Sequence, residues 1–157
     1  MPRRLRPVDL DFVESAPLRL VFTAEATAPP QAVYAALAGD VPGWADWFTG
    51  VARAAPTRDG RGRDVRLAGG TRFDETVLAT EPGARYAYRV DTTNAPVLRA
   101  LLEDWQLTPA GTGTRLRWTF AADGPAAFRW LMPLARPGLG RAFRDSIRAL
   151  DRRLGGS

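Results

Sequence analysis

The 157-residue chain contains no histidine, no cysteine and no lysine, so all 22 of its basic side chains are arginine. Without these residue types there is no disulfide, no thiol nucleophile, no imidazole base, no Schiff-base lysine and no zinc site of the usual nitrogen and sulfur kind. Acid and base chemistry must therefore come from Asp, Glu, Tyr or Arg, with or without water. We expect neither a metal nor a cofactor.

Long hydrophobic runs are also missing. No stretch approaches the roughly 18 consecutive apolar residues of a membrane-spanning helix. The basic start at residues 1–7 is followed by Asp9, Asp11 and Glu14 instead of the apolar core of a signal peptide. The lack of cysteine agrees with a reducing compartment. We therefore predict a cytoplasmic protein with no integral membrane segment.

The composition is typical of a globular protein, with 45% hydrophobic, 10% aromatic and 25% charged residues. A chain of this length can bury a sizeable core as one domain. We predict a single domain over residues 1–157, in which residues 1–9 form a flexible N-terminal segment.

The net charge of +5 lies entirely in the last 29 residues, which hold seven Arg and two Asp. Such an arginine stripe can contact an anionic membrane, a nucleic acid or an acidic partner, or it can be the solvated face of an amphipathic helix. We favour the solvated face, with at most a weak contact to an anionic surface. Aromatic and basic residues do not alternate as they do on nucleic-acid platforms, so we predict no nucleic-acid partner. Monomer and homodimer both stay open.

The first half of the chain predicts strands with two short helices between them. Strands are indicated by alternation of apolar and polar residues, and the helices by apolar residues at helical spacing. The predicted elements are, in order, a strand over 18–27, a short helix over 31–39, a second short helix around Trp44 and Trp47, and strands over 50–57 and 62–68.

Two β-hairpins are predicted in the middle of the chain, because a Pro-Gly turn and a Gly-Thr-Gly turn each separate two β-rich runs. Their strands cover 71–80 and 85–91, then 101–108 and 114–121. With two-residue loops, inward and outward side chains separate onto opposite faces of all four strands. The predicted inward pairs are Ala79 with Tyr86, Val77 with Tyr88, Glu75 with Val90, Leu107 with Leu116, Trp105 with Trp118 and Glu103 with Phe120; the outward pairs are Thr80 with Arg85, Thr76 with Arg89 and Gln106 with Arg117.

The end of the chain predicts a long amphipathic helix. Five apolar residues recur at spacings of three and four and so share one stripe. They are Leu139, Phe143, Ile147, Leu150 and Leu154. Helical sequence also follows residue 124, but proline and glycine interrupt it between 133 and 138, which makes that segment a gate or a static kink. The predicted fold class is α+β, an antiparallel sheet with one long helix on one face.

Five segments follow one another in a recognisable order: LRLVFTAEATAPPQAVYAAL, GWADWF, GGTRFDETVLATEPGARYAYRV, GTGTRLRWTF and the amphipathic last helix. Over about residues 10–154 they resemble the START-like superfamily, in particular the polyketide cyclase/dehydrase (SRPBCC) family. The resemblance implies a helix-grip fold: a seven-stranded antiparallel sheet wrapped round the C-terminal helix, two short helices after the first strand, and a deep cavity for an apolar ligand. It implies no single reaction, because the family includes aromatic polyketide cyclases as well as lipid and hormone binders.

The inward side chains of the predicted sheet are rich in aromatic residues. An aromatic interior with few polar groups suits a cavity for a drug-sized apolar ligand, although plain core packing would use the same residues. The candidate ligand-binding residues are Trp44, Trp47, Phe48, Phe73, Val77, Tyr86, Tyr88, Trp105, Trp118, Phe120, Leu139 and Phe143.

Glu75 and Glu103 take the inward phase of their strands at similar heights above the turns. Two carboxylates in an apolar pocket have raised pKa values, so one can act as general acid while the other acts as base. Tyr86 or Tyr88 can donate to a substrate carbonyl. The alternative is that both carboxylates reach solvent at the pocket mouth or pair with arginine. In the catalytic hypothesis, the candidate catalytic residues are Glu75, Glu103 and Tyr88, with Arg72 or Arg129 stabilising an enolate.

Three functions remain open. The first is a carrier or sensor that holds a hydrophobic small molecule such as a polyketide, a lipid or an isoprenoid. The second is a cofactor-free cyclase or dehydratase that uses the carboxylates and a tyrosine. The third is an interaction protein whose arginine stripe contacts an acidic partner or a membrane.

Overall fold

Residues 1–155, which the computed structural model describes, contain eight strands. They are β1 (Arg3–Arg4), β2 (Leu18–Ala26), β3 (Val51–Thr57), β4 (Gly62–Leu67), β5 (Arg72–Glu81), β6 (Arg85–Thr93), β7 (Ala100–Ala110) and β8 (Gly113–Asp123). Seven of them form one antiparallel sheet in the order β2-β8-β7-β6-β5-β4-β3, and β1 pairs with the end of β6. The α-helices are α1 (Phe12–Ser15), α2 (Pro30–Tyr34), α3 (Trp44–Trp47), α4 (Ala126–Leu131) and α5 (Arg136–Gly155).

The hairpin of β7 and β8 has the predicted register along its whole length. Trp105 lies opposite Trp118 and Glu103 opposite Phe120. Two constraints set this register. The tight turn fixes which residues lie opposite each other, and a shift of one residue would turn every inward side chain outward.

The hairpin of β5 and β6 follows the prediction only in part. Glu75 lies opposite Val90 and Val77 opposite Tyr88, as expected, but a bulge between Val77 and Ala79 shifts the rest. The predicted pairs Ala79 with Tyr86 and Thr80 with Arg85 are therefore wrong: Ala79 pairs with Ala87, Thr80 with Tyr86 and Glu81 with Arg85. An added residue in one strand increases local twist, which lets this part of the sheet curl.

The long C-terminal helix starts earlier than the sequence suggests. α5 begins at Arg136 and includes Pro137 and Gly138, because a proline in the first helical turn loses no hydrogen bond. The predicted interruption narrows to a 3₁₀ turn, Met132–Ala135, which joins α4 to α5. Within residues 1–155 no helix combines the length and apolar character needed to cross a membrane.

The sheet wraps round α5, which confirms the helix-grip fold. Phe143 and Ile147 of α5 are almost fully buried, and the Phe143 ring lies 6.1 Å from that of Phe22 on β2. Polar contacts hold the helix at both sides: Ser146 Oγ accepts from the Thr49 amide at 2.8 Å, and the Asp151 carboxylate accepts from the Thr27 amide at 2.9 Å. The inner sheet face and the helix therefore enclose the main core.

The N-terminal segment is not the flexible arm that we expected. Arg3 and Arg4 pair with Thr93 and Thr92, and the buried Leu5 donates its amide to the Asp91 carbonyl at 2.8 Å. Apolar side chains further along form a second, smaller core on the outer sheet face. This core holds Val8, Phe12, Val13, Ala100, Leu102 and Ala121. Burial of these side chains offsets the entropy of ordering the segment.

Candidate functional site

A cavity of about 360 Å³ lies between the inner sheet face and α5. Its volume falls in the lower part of the range for small-molecule sites, roughly 300–1,000 Å³. Exposed residues of the loops after α3 and β4 stand at its mouth. Its lining consists of Phe48, Thr49, Gly50, Leu67, Ala68, Gly69, Phe73, Leu101, Glu103, Trp118, Phe120, Leu139, Ala142 and Phe143.

Half of the twelve candidate ligand-binding residues line this cavity. These six are Phe48, Phe73, Trp118, Phe120, Leu139 and Phe143. The prediction missed the loop residues at the mouth and three further apolar positions, Leu67, Leu101 and Ala142. Loop glycines and alanines have no apolar periodicity, so no sequence signal marks them as lining residues.

The other six candidates do not line the cavity. Trp44, Trp47, Tyr86, Tyr88 and Trp105 are buried, and Val77 packs against the same core. The reason is the position of α3, whose indoles fill the end of the sheet. The Trp44 ring packs edge-on to Trp105 at 5.5 Å, and its Nε1 donates to the Leu37 carbonyl at 2.9 Å. These aromatic residues form a solid wall behind the cavity.

Among residues 1–155, Glu103 is the one ionisable residue that lines the cavity. The half-buried side chain accepts two hydrogen bonds at Oε1, from Trp118 Nε1 at 2.9 Å and from the Tyr88 hydroxyl at 3.3 Å. In this part of the chain no hydrogen bond reaches Oε2. Burial raises the pKa of Glu103, and the positive charge of Arg63 together with the two hydrogen bonds opposes the rise only partly.

Tyr88 connects the wall to the cavity carboxylate. Its hydroxyl accepts from Trp105 Nε1 at 3.2 Å and donates to Glu103. Burial, and then the charge of Glu103, raise the pKa of Tyr88 well above its ordinary value, so the hydroxyl keeps its proton. Tyr88 therefore orients the carboxylate from behind instead of facing the cavity.

Glu75, the second predicted carboxylate, lies outside the cavity lining. It forms an ion pair with Arg63, whose Nε donates to Glu75 Oε1 at 2.7 Å, and both side chains are almost fully buried. Burial raises the pKa of Glu75 to about 7, more than the attraction of Arg63 lowers it. The two carboxylates therefore do not face each other across the cavity. Glu75 instead pairs with an arginine, which was the alternative to a catalytic role, and this pair lies inside the core and not at the cavity mouth.

Arg63 is the interior residue that sequence reasoning missed. Arg72 and Arg129, the arginines suggested for an enolate, are both exposed. The guanidinium carbon of Arg63 lies 4.0 Å from the Tyr88 ring centre and 4.4 Å from that of Trp44, and Nη1 has no hydrogen-bond partner. Arg63 lies two residues before Val65 on β4, so the two side chains point to the same inner face of the sheet. This alternation was the sequence signal that could have identified Arg63 as an interior residue.

Solved structures confirm the fold at low sequence identity. An aromatase/cyclase (Zhui) from a Streptomyces species is 18% identical with a TM-score of 0.71, over 87% of this chain and 94% of that chain. A START superfamily protein from Mycobacterium smegmatis is 14% identical with a TM-score of 0.68, over 88% and 97%. A protein of Mesorhizobium loti is 23% identical with a TM-score of 0.65, over 85% and 97%.

The comparison with curated proteins returned no match. Residues 17–155, nearly the whole chain, match the family described as polyketide cyclase / dehydrase and lipid transport. That match agrees with the sheet wrapped round α5 and with the cavity between them. The chain belongs to the polyketide cyclase/dehydrase and lipid transport family.

Proposed function

We propose that this protein binds a hydrophobic small molecule in the cavity between the sheet and α5, as a carrier or sensor. The observation that carries the proposal is the lining itself. Apart from Glu103 and the mouth residues it is aromatic or aliphatic, with Phe73, Trp118 and Phe143 among its largest members. Such a surface gains free energy by excluding water, and one carboxyl group can orient a ligand hydroxyl or carbonyl.

The chemical class of the ligand follows from the one ionisable group in the lining that the described residues form. With its raised pKa, Glu103 is a hydrogen-bond donor when protonated and an acceptor when ionised. An uncharged, largely aromatic or aliphatic molecule with one or two oxygen atoms fits this surface. Polyketides, isoprenoids and fatty lipids share these properties, and the family description names both polyketide chemistry and lipid transport.

Binding of the neutral fluorophore N-phenyl-1-naphthylamine tests the proposal. The variant Ala142→Phe places a ring in the cavity lining, and Ala126→Phe makes the same change at an exposed position of α4. We expect saturable binding by the native protein and by Ala126→Phe, and at least a tenfold weaker affinity for Ala142→Phe. Equal affinity of all three proteins would contradict a ligand site in this cavity.

Acid and base catalysis at Glu103 is the second candidate function. The free Oε2 and the raised pKa favour it, because a general base is most effective when its pKa lies near the working pH. A carboxylate so placed can remove a proton from the carbon between two carbonyl groups, which is the first step of an aldol cyclisation. Return of a proton to the same carbon completes an exchange with solvent.

Exchange of that proton with deuterium, followed by NMR on the 1,3-diketone benzoylacetone, tests this candidate. We expect Glu103→Gln to slow the exchange by at least about a hundredfold. The control Glu75→Gln changes the buried carboxyl that does not line the cavity. Exchange at the native rate in Glu103→Gln would eliminate catalysis by this group and leave the binding proposal intact.

A further inference from the structure

The segment that joins α4 to α5 exposes large apolar side chains to solvent. Trp130 is 81% exposed, Leu131 62% and Leu134 75%, although every one of them lies in helical structure. We call these three residues the apolar crest. Single exposed apolar residues are ordinary on protein surfaces, but a contiguous group that includes a tryptophan marks an interaction surface.

The same part of the chain carries unbalanced positive charge. Residues 124–144 contain four arginines and neither Asp nor Glu. All four are exposed, and within residues 1–155 none of them contacts a carboxylate. We call this set the basic run; it consists of Arg129, Arg136, Arg141 and Arg144.

An apolar groove next to the crest enlarges the surface. It has a volume of about 340 Å³ and its lining is apolar. The lining residues are Val97, Pro125, Ala127, Phe128, Leu131 and Met132. Val97 is half exposed and has a positive φ of 63°, a conformation that a β-branched residue rarely adopts. The loop before β7 and the start of α4 thus present one apolar face.

We propose that the apolar crest and the basic run dock the protein on the surface of an anionic phospholipid bilayer. Tryptophan and leucine on a projecting helical segment, flanked by arginine, are the composition of segments that lie in the interface between lipid headgroups and acyl chains. The arginines supply attraction to anionic headgroups, and the crest supplies apolar area that enters between them.

Other occupants fit this surface less well. A second copy of the chain would bring its own basic run against this one. Within residues 1–155 these arginines have no carboxylate partner, and like charges at close range oppose association. An acidic protein would satisfy the arginines, but it would need an apolar pocket shaped to the projecting Trp130 and Leu134. A fluid lipid surface accommodates that crest without a preformed pocket.

Docking would bring the cavity close to the lipid. Leu139, Ala142 and Phe143 line the cavity and follow the crest on the same helical run. The docking surface itself shares no residue with that lining. Membrane attachment and ligand binding can therefore fail independently.

The five tryptophans make a direct optical test available. Trp44, Trp47, Trp105 and Trp118 are buried, so Trp130 is the indole that meets solvent. We expect vesicles of phosphatidylglycerol, or of an equal mixture with phosphatidylcholine, to shift the emission to shorter wavelength and to protect it from acrylamide. Vesicles of phosphatidylcholine alone should have little effect, and raised salt should weaken the binding because it screens the arginines.

Three variants separate the contributions to vesicle binding. Leu131→Ser/Leu134→Ser shortens the crest and keeps the Trp130 reporter. Arg129→Gln/Arg141→Gln removes two charges of the basic run and should weaken binding to phosphatidylglycerol vesicles by roughly 20- to 30-fold. Arg53→Gln/Arg117→Gln removes two exposed arginines from β3 and β8 and should bind like the native protein.

Co-sedimentation with the same vesicles is the decisive test of docking on an anionic bilayer. Absence of native protein from the phosphatidylglycerol pellet would overturn the proposal. An equal loss of vesicle affinity in Arg129→Gln/Arg141→Gln and in Arg53→Gln/Arg117→Gln would overturn it as well. Binding to polyglutamate in place of vesicles at the same salt would assign the surface to an acidic protein and would also overturn it. N-phenyl-1-naphthylamine binding by the crest variant should stay native, which shows that the cavity is intact.

Discussion

Arg63 and Glu75 form an ion pair inside the aromatic core, with 2.7 Å between Arg63 Nε and Glu75 Oε1 and exposed fractions of 2% and 1%. The guanidinium carbon contacts both neighbouring rings, at 4.0 Å from the Tyr88 ring centre and 4.4 Å from that of Trp44. Two charges removed from water repay their desolvation only when each has a partner. The stability of this end of the sheet therefore depends on keeping or removing the pair as a unit.

The first prediction concerns this coupling. Glu75→Leu leaves the Arg63 charge buried and unpaired and should lower the free energy of unfolding at pH 8 by about 3–5 kcal/mol. The double variant Arg63→Met/Glu75→Leu should lose much less, because no buried charge remains. Urea unfolding of both variants and of Arg63→Met completes a double-mutant cycle. If the double variant loses as much free energy of unfolding as the two single variants together, the coupling is contradicted.

The second prediction concerns the pH dependence of stability. Burial raises the pKa of Glu75 from 4.5 to about 7. Between these values the folded protein keeps a proton that the unfolded chain has released, so the free energy of unfolding should fall as pH rises from 4.5 to beyond 7, by up to about 3 kcal/mol. Glu75→Gln should flatten this slope whatever its effect on overall stability.

Thermal unfolding at closely spaced pH values measures that slope. Glu81→Gln, an exposed carboxyl at the end of β5, provides the control and should keep the native slope. A stability that rises through the same pH window would show that the ion pair dominates over burial.

The third prediction concerns the cavity carboxyl. Burial raises the pKa of Glu103, and an apolar ligand over the free Oε2 would deepen that burial. The affinity for N-phenyl-1-naphthylamine should therefore weaken as pH rises through the raised pKa, by about tenfold or more, since the ionised group must give up its water. Glu103→Gln should bind the fluorophore equally at all pH values, and a persistent pH dependence in that variant would assign the effect to another group.

The fourth prediction concerns the close approach of β8 to the end of β2. A Cβ added at Gly113 would lie 2.2 Å from the Ala26 carbonyl oxygen, a backbone atom that cannot turn aside. Gly113→Ala should lower the free energy of unfolding by about 1–3 kcal/mol. Gly39→Ala, where nothing lies within 4 Å, should not show this loss. Equal stability of the two variants would mean that the strand ends separate at little cost.

Local sequence patterns predict much of the sheet. The register of Trp105 with Trp118 follows from a tight turn and strict alternation, both of which act over a few residues. The bulge after Val77 leaves no such mark. It depends on how strongly the sheet must curl round α5, which is a property of the assembled sheet.

The site divides in the same way. Alternation on β7 predicts that Glu103 points inward, and it lines the cavity. Alternation on β5 predicts the same for Glu75, but its neighbour Arg63 comes from β4, which the pattern marks only weakly. Residues distant in the chain set the environment of a buried carboxylate. The sequence alone therefore could not decide whether Glu75 lines the cavity or forms an ion pair with an arginine.

The amino-acid sequence by itself determined the antiparallel α+β class, the inward aromatic face and the absence of histidine, cysteine and lysine chemistry, because these follow from composition and short-range periodicity. The helix-grip fold was implied by the resemblance to START-like proteins. Only the tertiary structure decided which aromatic residues line the cavity and which fill the wall. The indoles of Trp44 and Trp47 occupy one end of the curled sheet and leave the space beside Phe143 open. That outcome depends on packing between elements far apart in the chain, where close-packed side chains exclude one another.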